Sequence, residues 1–346
     1  MKLGIIGLPG SGKTTVFEAL TGEFAGPGAK TETRIGTIHV PDSRIDRLSQ
    51  IYRPKKTIYA QVEYLLPGKG EQKKSGGGGD DEALMRAVRD TDALIHVVRN
   101  FSGYGTDPAD PANDFLLLDQ ELMRMDANVV ERRLERIEID AKKGRPVDRE
   151  EQELLEKCRD LLQSEIPLRR HEDIAGSRLL RGYGLMSAKP VLVLFNNEDE
   201  DESLPDLPQA AACETCMVMR GRLEHELAQM TEQEAAELLG EFNIAAPAGD
   251  RVIRASYEIL GLVSFFTVGE DEVRAWAIRK GTTALEAAGV IHSDIKKGFI
   301  RAEVISYEDY IAAGSMAAAK KNATLRLEGK TYEVKDGDII NFRFNV

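Results

Sequence analysis

One stretch near the start of the chain constrains the fold more than any other. Gly7 to Thr14 reads G-L-P-G-S-G-K-T, which meets the phosphate-loop pattern G-x-x-x-x-G-K-[ST] at every fixed position. Lys2–Ile6 before it is typical of a buried parallel strand, and Thr14–Thr21 after it is predicted to be helical. This order aims backbone N–H groups and the positive end of the helix dipole at one point, where a polyphosphate is the natural ligand.

The residue types within this loop suit triphosphate chemistry. Glycines let the backbone wrap the phosphates, Lys13 reaches the β- and γ-phosphates as the catalytic cation, and the Thr14 hydroxyl is expected to ligate Mg²⁺. A glycine-rich turn that binds nothing is the alternative. The predicted phosphate-binding residues are Gly7, Pro9, Gly10, Ser11, Gly12, Lys13, Thr14 and Thr15.

Composition narrows the class of protein. The chain has 346 residues, enough for two or three domains, and its net charge of -12 argues against a uniformly basic surface that coats nucleic acid. No run of about 18 apolar residues and no apolar leader occurs, so we expect a cytoplasmic protein without membrane or DNA partners. The 3 cysteines are too few for a disulfide framework, and the single C-x-x-C of Cys213 and Cys216 is a weak signal for metal or redox chemistry.

The segments after the first helix alternate between loops and regular elements. Glu23–Arg34 is polar and glycine-rich, which predicts a mobile loop in which Thr31 or Thr33 is a candidate second Mg²⁺ ligand. Pro67–Asp81 is a low-complexity segment and is predicted to be a flexible loop. The elements predicted between these loops are the strands Ile35–Val40 and Thr57–Leu66 and the helix Ser43–Tyr52.

The middle of the chain changes from strand to long helix. Ala93–Arg99 is predicted to be a buried strand, within which His96 is either a packed core residue or a catalyst. From Asp114 to Arg170 a charged pattern of period 3.6 predicts two long antiparallel helices joined by K-K-G-R-P-V-D. Such a pair is either a solvated arm or a partner-binding arm.

A second candidate site follows the next buried strand. Pro190–Phe195 is a continuous apolar run that ends at Asn196, Asn197, Glu198 and Asp199. In a nucleotide-binding sheet, ligands lie beyond the carboxyl ends of the strands, so these polar residues are candidates for reading a base. Helix capping or a turn is the alternative role.

The sequence pattern of the C-terminal part predicts a separate small α+β domain. From about Val263 the pattern is short strands with turns; E-G-K-T at residues 328–331 is expected to join two strands as a hairpin, and D-G-D at 336–338 to lead into the last strand. Basic residues in this part either meet phosphate backbones of RNA or are plain solvated surface. They are Lys296, Lys297, Arg301, Lys320 and Lys321.

Several motifs carry a resemblance to a known family. They include V-R-A-W-A-I from Val273, H-S-D-I-K-K-G-F-I-R-A-E-V-I from His292, and L-E-G-K-T-Y-E-V-K-D-G-D-I-I-N-F-R-F-N-V from Leu327, with V-P-D-S-R-I-D-R-L near Val40. The chain resembles the YchF-type, Obg-like ATPases over almost its entire length. The resemblance implies ATP favoured over GTP, slow Mg²⁺-dependent hydrolysis, and association with the ribosome or its RNA through the arm and the C-terminal domain.

The same resemblance implies a domain plan and a fold class. Residues 1–113 and 186–262 are predicted to form a P-loop GTPase-like domain with a mostly parallel sheet. Residues 114–185 are predicted to be a helical-hairpin arm, and residues 263–346 a ubiquitin-like α+β domain of the TGS type. The fold class is therefore α/β with a helical insertion and an α+β C-terminal domain.

Three positions depart from the family pattern. Leu65, Leu66, Pro67 and Gly68 stand where the family has Asp-Ile-Ala-Gly, so the acid that holds Mg²⁺ through water is missing. Asp199 stands where the family has a final Glu, and an Arg-Gly pair stands where the family has Ser-Ala. Neither Glu63 nor Asp80 nor Asp81 is at the position of the lost acid. The predicted base-binding residues are Asn196, Asn197, Asp199, Arg220 and Gly221.

Two functions follow from these features. The first is a slow nucleoside triphosphate hydrolase that binds ATP or GTP with Mg²⁺ and reports its state to the ribosome. The second is a nucleotide-occupied scaffold that has lost turnover, which the missing acid favours. An intact phosphate loop predicts nucleotide binding in both.

Overall fold

The computed structural model describes residues 1–26, 32–68, 87–103, 108–207, 211–241 and 247–345. The chain divides into two compact units. The first contains Met1–Thr37 and Glu63–Val252, and the second contains Ile38–Val62 and Ile253–Val346. The division into a nucleotide-binding domain, an arm and a C-terminal domain stays a prediction, and the second unit takes in a segment that the sequence assigned to the nucleotide-binding part.

Regular elements occupy most of the described residues. The strands are β1 (Lys2–Ile6), β2 (Arg34–His39), β3 (Lys56–Ile58), β4 (Gln61–Leu66), β5 (Ala93–Asn100), β6 (Val191–Asn197), β7 (Thr215–Met219), β8 (Leu262–Val268), β9 (Glu272–Arg279), β10 (Phe299–Ser306), β11 (Arg326–Glu328) and β12 (Asp338–Phe344). The helices are α1 (Lys13–Thr21), α2 (Ser43–Tyr52), α3 (Pro111–Lys142), α4 (Arg149–Gln163), α5 (Glu172–Ala175), α6 (Gly221–Leu227), α7 (Glu232–Glu241), α8 (Ala248–Ile259), α9 (Ala284–Ile291), α10 (Ser293–Lys297), α11 (Tyr307–Ala313) and α12 (Met316–Lys321). Short 3₁₀ turns cover Leu168–Arg170, Arg181–Tyr183 and Ala211–Cys213.

The sheet of the first unit has the strand order β2-β4-β1-β5-β6-β7. β1 pairs in parallel with β4 and β5, β5 with β6, and β6 with β7. β5 and β6 are buried along nearly their whole length, as expected for central strands of a parallel sheet covered on both faces. Since β1 is central, the loop that follows it lies at the carboxyl edge of the sheet, where ligands bind in open α/β folds.

One predicted strand proves to be two. The run Thr57–Leu66 was expected to be continuous, but β3 pairs with β9 in the second sheet and β4 pairs with β1 in the first. The break falls at Ala60, whose carbonyl accepts a hydrogen bond of 2.8 Å from the Val40 N–H. The prediction was wrong because β propensity does not indicate where a chain passes from one sheet to another.

The predicted helical pair is present as α3 and α4. Asp110 caps α3 by accepting from the Asn113 N–H, and Asp148 caps α4 by accepting from the Glu150 N–H at 3.0 Å. Gly144 makes the turn between them with a φ of 71°, a value that favours glycine. An apolar seam holds the pair together. Its buried members are Val130, Leu134, Ile137, Leu155, Cys158 and Leu162.

Buried polar groups fix the base of this arm. The Asp126 carboxylate on α3 accepts from the Met186 N–H at 2.8 Å and from the N–H and hydroxyl of Ser187, both at 2.7 Å. Burial raises the pKa of Asp126 to about 6, although these hydrogen bonds act in the opposite direction. The segment that returns from the arm to β6 is thereby attached to α3.

A buried ion triad makes a second attachment. The Arg169 guanidinium lies 2.8 Å from an Asp119 oxygen on α3 and 2.7 Å from a Glu214 oxygen just before β7. All three side chains are less than a tenth exposed, so water solvates their charges poorly and the opposite charges stabilise one another instead.

The second unit contains a mixed sheet in the order β11-β10-β12-β8-β9-β3. β8 and β9 form an antiparallel hairpin, α9 follows it, and β12 pairs antiparallel with β10 and parallel with β8. Thr283 and Glu286 form a capping box at the start of α9. The core between helix and sheet includes Phe265, Ala288 and Ile340.

The hairpin expected at residues 328–331 is absent from this described region. β11 pairs instead with β10, and Glu333 forms an isolated bridge with Thr283. The backbone of the segment that follows residue 331 forms hydrogen bonds with the start of α9, where the Ala284 N–H donates to Tyr332 O at 2.7 Å. The expected turn before β12 is confirmed, with Gly337 at a φ of 85°.

No helix of the described residues has both the length and the apolar character needed to cross a membrane. The loop expected at Pro67–Asp81 lies outside the described residues from position 69 onward.

Candidate functional site

The turn between β1 and α1 requires glycine at several positions. A Cβ atom at Gly7 would lie 2.4 Å from the Val97 backbone oxygen. Gly10 and Gly12 have φ angles of 83° and 89°, which residues with a side chain rarely adopt. The turn therefore leads from β1 into α1 with backbone amides gathered at a helix N-terminus, which is an anion-binding arrangement.

The Lys13 side chain folds back over this turn. Its Nζ donates hydrogen bonds of 2.9 Å to both Gly7 O and Leu8 O. Thr14 follows in the first turn of α1 and is exposed. A positive charge and an exposed hydroxyl thus stand beside the amides of the loop.

Asn196, at the carboxyl end of β6, is held between two glycines. Its Nδ2 donates to Ser11 O and its Oδ1 accepts from the Gly221 N–H, both at 3.0 Å. A Cβ atom on Gly12 would lie 2.2 Å from Nδ2, and one on Gly221 would lie 2.4 Å from Oδ1. Asn196 is almost completely buried. It therefore joins the phosphate loop to the start of α6, and both glycines are needed for it to fit.

Asn197 faces the protein rather than the loop. Its Nδ2 donates to Asp201 O at 3.1 Å and Ser203 O at 2.8 Å, and its Oδ1 accepts from Asn100 Nδ2 at 2.9 Å. Each polar atom of this buried side chain already has a protein partner, so the amide supports the loop after β6.

The Asp199 carboxylate lies near the start of α6 and is about a fifth exposed. Its Oδ1 accepts from the Leu223 N–H at 3.2 Å, and its Oδ2 accepts from Arg222 Nε at 2.6 Å. Arg220 is buried, with its guanidinium 2.8 Å from a Glu202 oxygen. The structure thus brings Asp199 and the first residues of α6 together, while Arg220 is engaged in an ion pair.

The carboxyl end of β4 carries leucines that face the protein interior. Leu65 and Leu66 are both buried. Glu63 lies earlier on the strand, in register with Lys2 and 3.6 Å from its ammonium. Because β1 continues for four residues beyond Lys2 before the phosphate loop begins, Glu63 is roughly 13 Å along the strand from that edge. It does not replace the missing acid.

Thr33, the candidate second Mg²⁺ ligand, lies just before β2. Its Oγ1 accepts a hydrogen bond of 3.3 Å from the Gly68 N–H, which ties this residue to the segment after β4. Thr31, Asp80 and Asp81 lie outside the described residues. The part of the chain that is described holds no cluster of three or more His, Cys, Asp or Glu side chains suited to a metal. A Mg²⁺ ion bound mainly by phosphates requires only one or two protein ligands.

His96 is confirmed as a core residue. It is buried in β5 and stacks on Phe115 with ring centroids 5.5 Å apart. Burial lowers the pKa of His96 to about 3, and the charges of Arg169 and Lys13 act in the same direction. The imidazole is therefore neutral at physiological pH.

Sequence reasoning missed a polar cluster centred on Glu18. One carboxylate oxygen accepts from Arg34 Nη1 at 2.8 Å and from the Ala25 N–H at 3.0 Å, and the other lies 3.0 Å from His225 Nε2. Burial opposes ionisation of Glu18, but these partners outweigh it and hold its pKa below the usual value. Glu18 thus anchors both ends of the loop that precedes β2. The only signal in the sequence was an acid between apolar residues of the helix predicted after the phosphate loop.

The first strand of a parallel sheet leads through this turn into a helix, and an Asn at the carboxyl end of β6 braces the turn. These features define the class of P-loop nucleotide-binding proteins. Comparisons with known proteins narrow the class. The family model YchF-GTPase_C, described as "Protein of unknown function (DUF933)", matches residues 262–345. The chain is 38% identical to "Ribosome-binding ATPase YchF" of Bacillus subtilis over 99% of each chain.

Two further relatives agree. The protein of the same name from Escherichia coli O157:H7 is 38% identical over 100% of this chain and 99% of its own. The solved structure of the Schizosaccharomyces pombe YchF GTPase superposes with a TM-score of 0.83 at 31% identity, covering 99% of this chain and 97% of that one. The chain belongs to the YchF family. The predicted resemblance and fold class are confirmed.

Proposed function

We propose that this protein binds ATP or GTP at the phosphate loop, hydrolyses it slowly with Mg²⁺, and associates with the ribosome. The relatives are named as a ribosome-binding ATPase and as a GTPase, which supports both the nucleotide and the ribosome. The observation that carries the proposal is the glycine turn from β1 into α1 braced by Asn196. Association with ribosomes implies a cytoplasmic location.

The proposed phosphate contacts follow from the turn. Backbone amides from Gly7 to Thr15 surround the phosphates, with Pro9, Gly10, Ser11 and Gly12 forming the bend. Lys13 exchanges its two carbonyl partners for phosphate oxygens and neutralises charge on the transferring group. A water molecule attacks the γ-phosphate without a protein base.

The residues present fit a Mg²⁺ ion held largely by phosphates. Thr14 offers an exposed hydroxyl in the first turn of α1, and Thr33 offers a second after leaving the Gly68 N–H. When bound, Mg²⁺ neutralises developing negative charge on the phosphate oxygens. The hydroxyls orient it without supplying charge of their own.

The proposed base contacts come from the loop after β6 and the start of α6. Asp199 offers a carboxylate acceptor for an exocyclic or ring N–H, and Gly221, whose N–H donates to Asn196 Oδ1, lies beside it at the start of α6. Asn196 acts as the brace of the phosphate loop, while Asn197 and Arg220 act as framework because their polar groups have protein partners. The names of the curated relatives favour ATP over GTP.

A non-hydrolytic scaffold is the second candidate. The specific observation in its favour is the carboxyl end of β4, where Leu65 and Leu66 are buried and Glu63 pairs with Lys2. Without a carboxylate there, the metal has fewer ligands in its outer shell, so turnover is expected to be slow in either case.

Calorimetric titration with non-hydrolysable ATP and GTP analogues, with and without Mg²⁺, tests the proposal. We expect Mg²⁺-dependent binding that weakens about 100-fold in Lys13→Ala, since a charge-assisted hydrogen bond contributes about 1.5–3 kcal/mol. Lys55→Ala, which removes an exposed lysine of the second unit, is the matched control. Binding that is unchanged in Lys13→Ala would refute the site. Binding of ATP or GTP without hydrolysis in a separate single-turnover assay would favour the scaffold over the hydrolase.

A further inference from the structure

One acid on α1 contacts three separate segments of the first unit. The Glu18 carboxylate accepts from the Ala25 N–H at 3.0 Å and from Arg34 Nη1 at 2.8 Å. Its other oxygen lies 3.0 Å from His225 Nε2 on α6. Ala25 follows α1 and Arg34 begins β2, so a single side chain holds the chain on both sides of the loop between them. We call these three contacts of Glu18 the Glu18 anchor.

The Arg34 side chain is fixed from several sides. Its guanidinium lies over the Phe17 ring, 4.7 Å from the ring centroid, and its Nη2 donates to Glu23 O. The side chains of Arg34 and Glu18 are 15% and 12% exposed, so water screens their ion pair weakly. Because β2 is an edge strand of its sheet, these contacts with α1 help to fix the residue at which the strand begins.

The Glu18 anchor lies on the same face of α1 as Thr14, a proposed Mg²⁺ ligand. Glu18 comes one turn after Thr14, so the two side chains lie about 40° apart around the helix and about 6 Å apart along it. Thr33, the other proposed ligand, directly precedes Arg34, and consecutive Cα atoms are about 3.8 Å apart. An ion pair between Glu18 and Arg34 therefore limits how far Thr33 can move from the face that carries Thr14.

We propose that Glu18 is a positioning residue for the Mg²⁺ site, and that its ion pair with Arg34 keeps Thr33 within reach of a metal held at Thr14. The inference rests on the function proposed above and names the residue that organises the metal side of that site. Because three protein groups already occupy the Glu18 carboxylate, it acts through Arg34 and not as a ligand. The Thr33 hydroxyl accepts from the Gly68 N–H, and the Glu18 anchor holds Arg34 while that partner is exchanged for the metal.

The test is a double-mutant cycle of Glu18→Gln and Thr33→Ala in the full-length protein. A glutamine keeps an acceptor for the Ala25 N–H but loses the ion pair with Arg34. Calorimetric titration with a non-hydrolysable ATP analogue is carried out on the wild type, both single variants and the double variant. It measures the affinity in EDTA and the Mg²⁺ concentration at which half of the gain in affinity is reached.

The matched control is Asp119→Asn. It removes the same charge from a buried acid that also pairs with an arginine, 2.8 Å from Arg169, but at the base of the arm. Asp119→Asn should keep the Mg²⁺ requirement of the wild type even where it lowers the unfolding temperature. It therefore separates loss of a buried ion pair in general from loss of the Glu18 anchor.

We expect Glu18→Gln to raise the required Mg²⁺ concentration about 10- to 100-fold, as is usual when a group that orients a metal ligand is lost, and to leave the affinity in EDTA unchanged. Thr33→Ala should have an effect of similar size. Adding Glu18→Gln to Thr33→Ala should then change little, because the hydroxyl that Glu18 positions is already absent. Arg34→Gln should reproduce the effect of Glu18→Gln.

A role in folding alone predicts a different pattern. Glu18→Gln would then weaken nucleotide binding by the same factor with and without Mg²⁺, and by the same factor in the Thr33→Ala background. Either result overturns the positioning role, and so does a Mg²⁺ requirement that Glu18→Gln leaves unchanged. If Glu18→Gln is unfolded at the assay temperature, Arg34→Gln takes its place in the cycle, because it leaves the carboxylate with Ala25 and His225.

The two proposals fail in different ways. A wild type that binds no nucleotide in the presence of Mg²⁺ refutes the proposed function, and the role of Glu18 at the metal falls with it. A wild type that binds nucleotide with Mg²⁺, together with variants that show no coupling between Glu18 and Thr33, refutes only the positioning role.

Discussion

The position of Asn196 between two glycines makes a prediction about coupled substitutions. In Gly221→Ala, a methyl carbon would lie 2.4 Å from Asn196 Oδ1, so the amide must move. It then loses its hydrogen bonds to Ser11 O and the Gly221 N–H. Each buried partner left unpaired costs about 1–3 kcal/mol. We expect nucleotide affinity to fall by about 2–4 kcal/mol, which is about 30-fold to several hundred-fold.

The informative result is the same substitution in an Asn196→Ala background. Asn196→Ala alone loses the same two hydrogen bonds and should weaken binding by a similar amount. It also removes the atom that Gly221→Ala would strike, so the second substitution should then cost less than about 1 kcal/mol. This double-mutant cycle therefore predicts an interaction energy of about 1–3 kcal/mol between Asn196 and Gly221. Neither residue carries a charge or touches the phosphates through a side chain.

The assay is fluorescence titration of the wild type, both single variants and the double variant with an N-methylanthraniloyl-labelled nucleotide. Denaturant unfolding of the same proteins separates loss of binding from loss of folding. Asn196→Asp is a further control, because its second carboxylate oxygen would face the Ser11 carbonyl in place of a donor. It should bind no better than Asn196→Ala. If Gly221→Ala costs the same in both backgrounds, the brace model is wrong.

Two buried groups at the base of the arm give further predictions. Burial raises the pKa of Asp126 from 3.8 to about 6, so the native state binds the Asp126 proton more tightly than the unfolded state does. The protonated Asp126 therefore stabilises the fold fully below about pH 4. This stabilisation, about 3 kcal/mol, is lost as pH rises through 6. Asp126→Asn should flatten the unfolding free energy over this window, and parallel profiles for variant and wild type would contradict that assignment. Arg169→Met should cost about 3–5 kcal/mol in denaturant unfolding by leaving Asp119 and Glu214 unpaired, and replacing all three by apolar residues should recover most of it. Lys157→Met, which breaks an exposed pair, should cost about 0–1 kcal/mol, and equal losses would refute the importance of burial.

The elements that the sequence predicted correctly are those whose signals are local. The turn from β1 into α1 follows from glycine spacing, and β5 and β6 follow from continuous apolar runs. The break between β3 and β4 was invisible because it depends on which strand each half pairs with. For the same reason the expected hairpin at residues 328–331 failed, since the start of α9 takes its backbone hydrogen bonds.

Within the site, the sequence indicated residue types but not their partners. Asn196 and Asn197 are adjacent and chemically identical, yet one braces the phosphate loop and the other supports its own loop, because successive residues of β6 direct their side chains to opposite faces. Glu18 was overlooked because its partners Arg34 and His225 are distant in sequence. Pairing across such distances requires the fold.

The end of β4 links stability to the proposed slow turnover. Leu65 is 6% exposed and belongs to the core cluster that includes Val98 and Phe115. Burial of a leucine stabilises the fold by about 2 kcal/mol, whereas a carboxylate among these side chains would have to be hydrated or paired. A chain with leucine here therefore gains core stability where an acid would have helped to hold the metal. The phosphate loop does not depend on that position, because Lys13 and the backbone amides come from α1 and the turn before it, and Asn196 comes from the end of β6. On the proposed function, nucleotide binding and efficient hydrolysis therefore depend on different positions, and we expect the leucines at the end of β4 to lower hydrolysis more than binding.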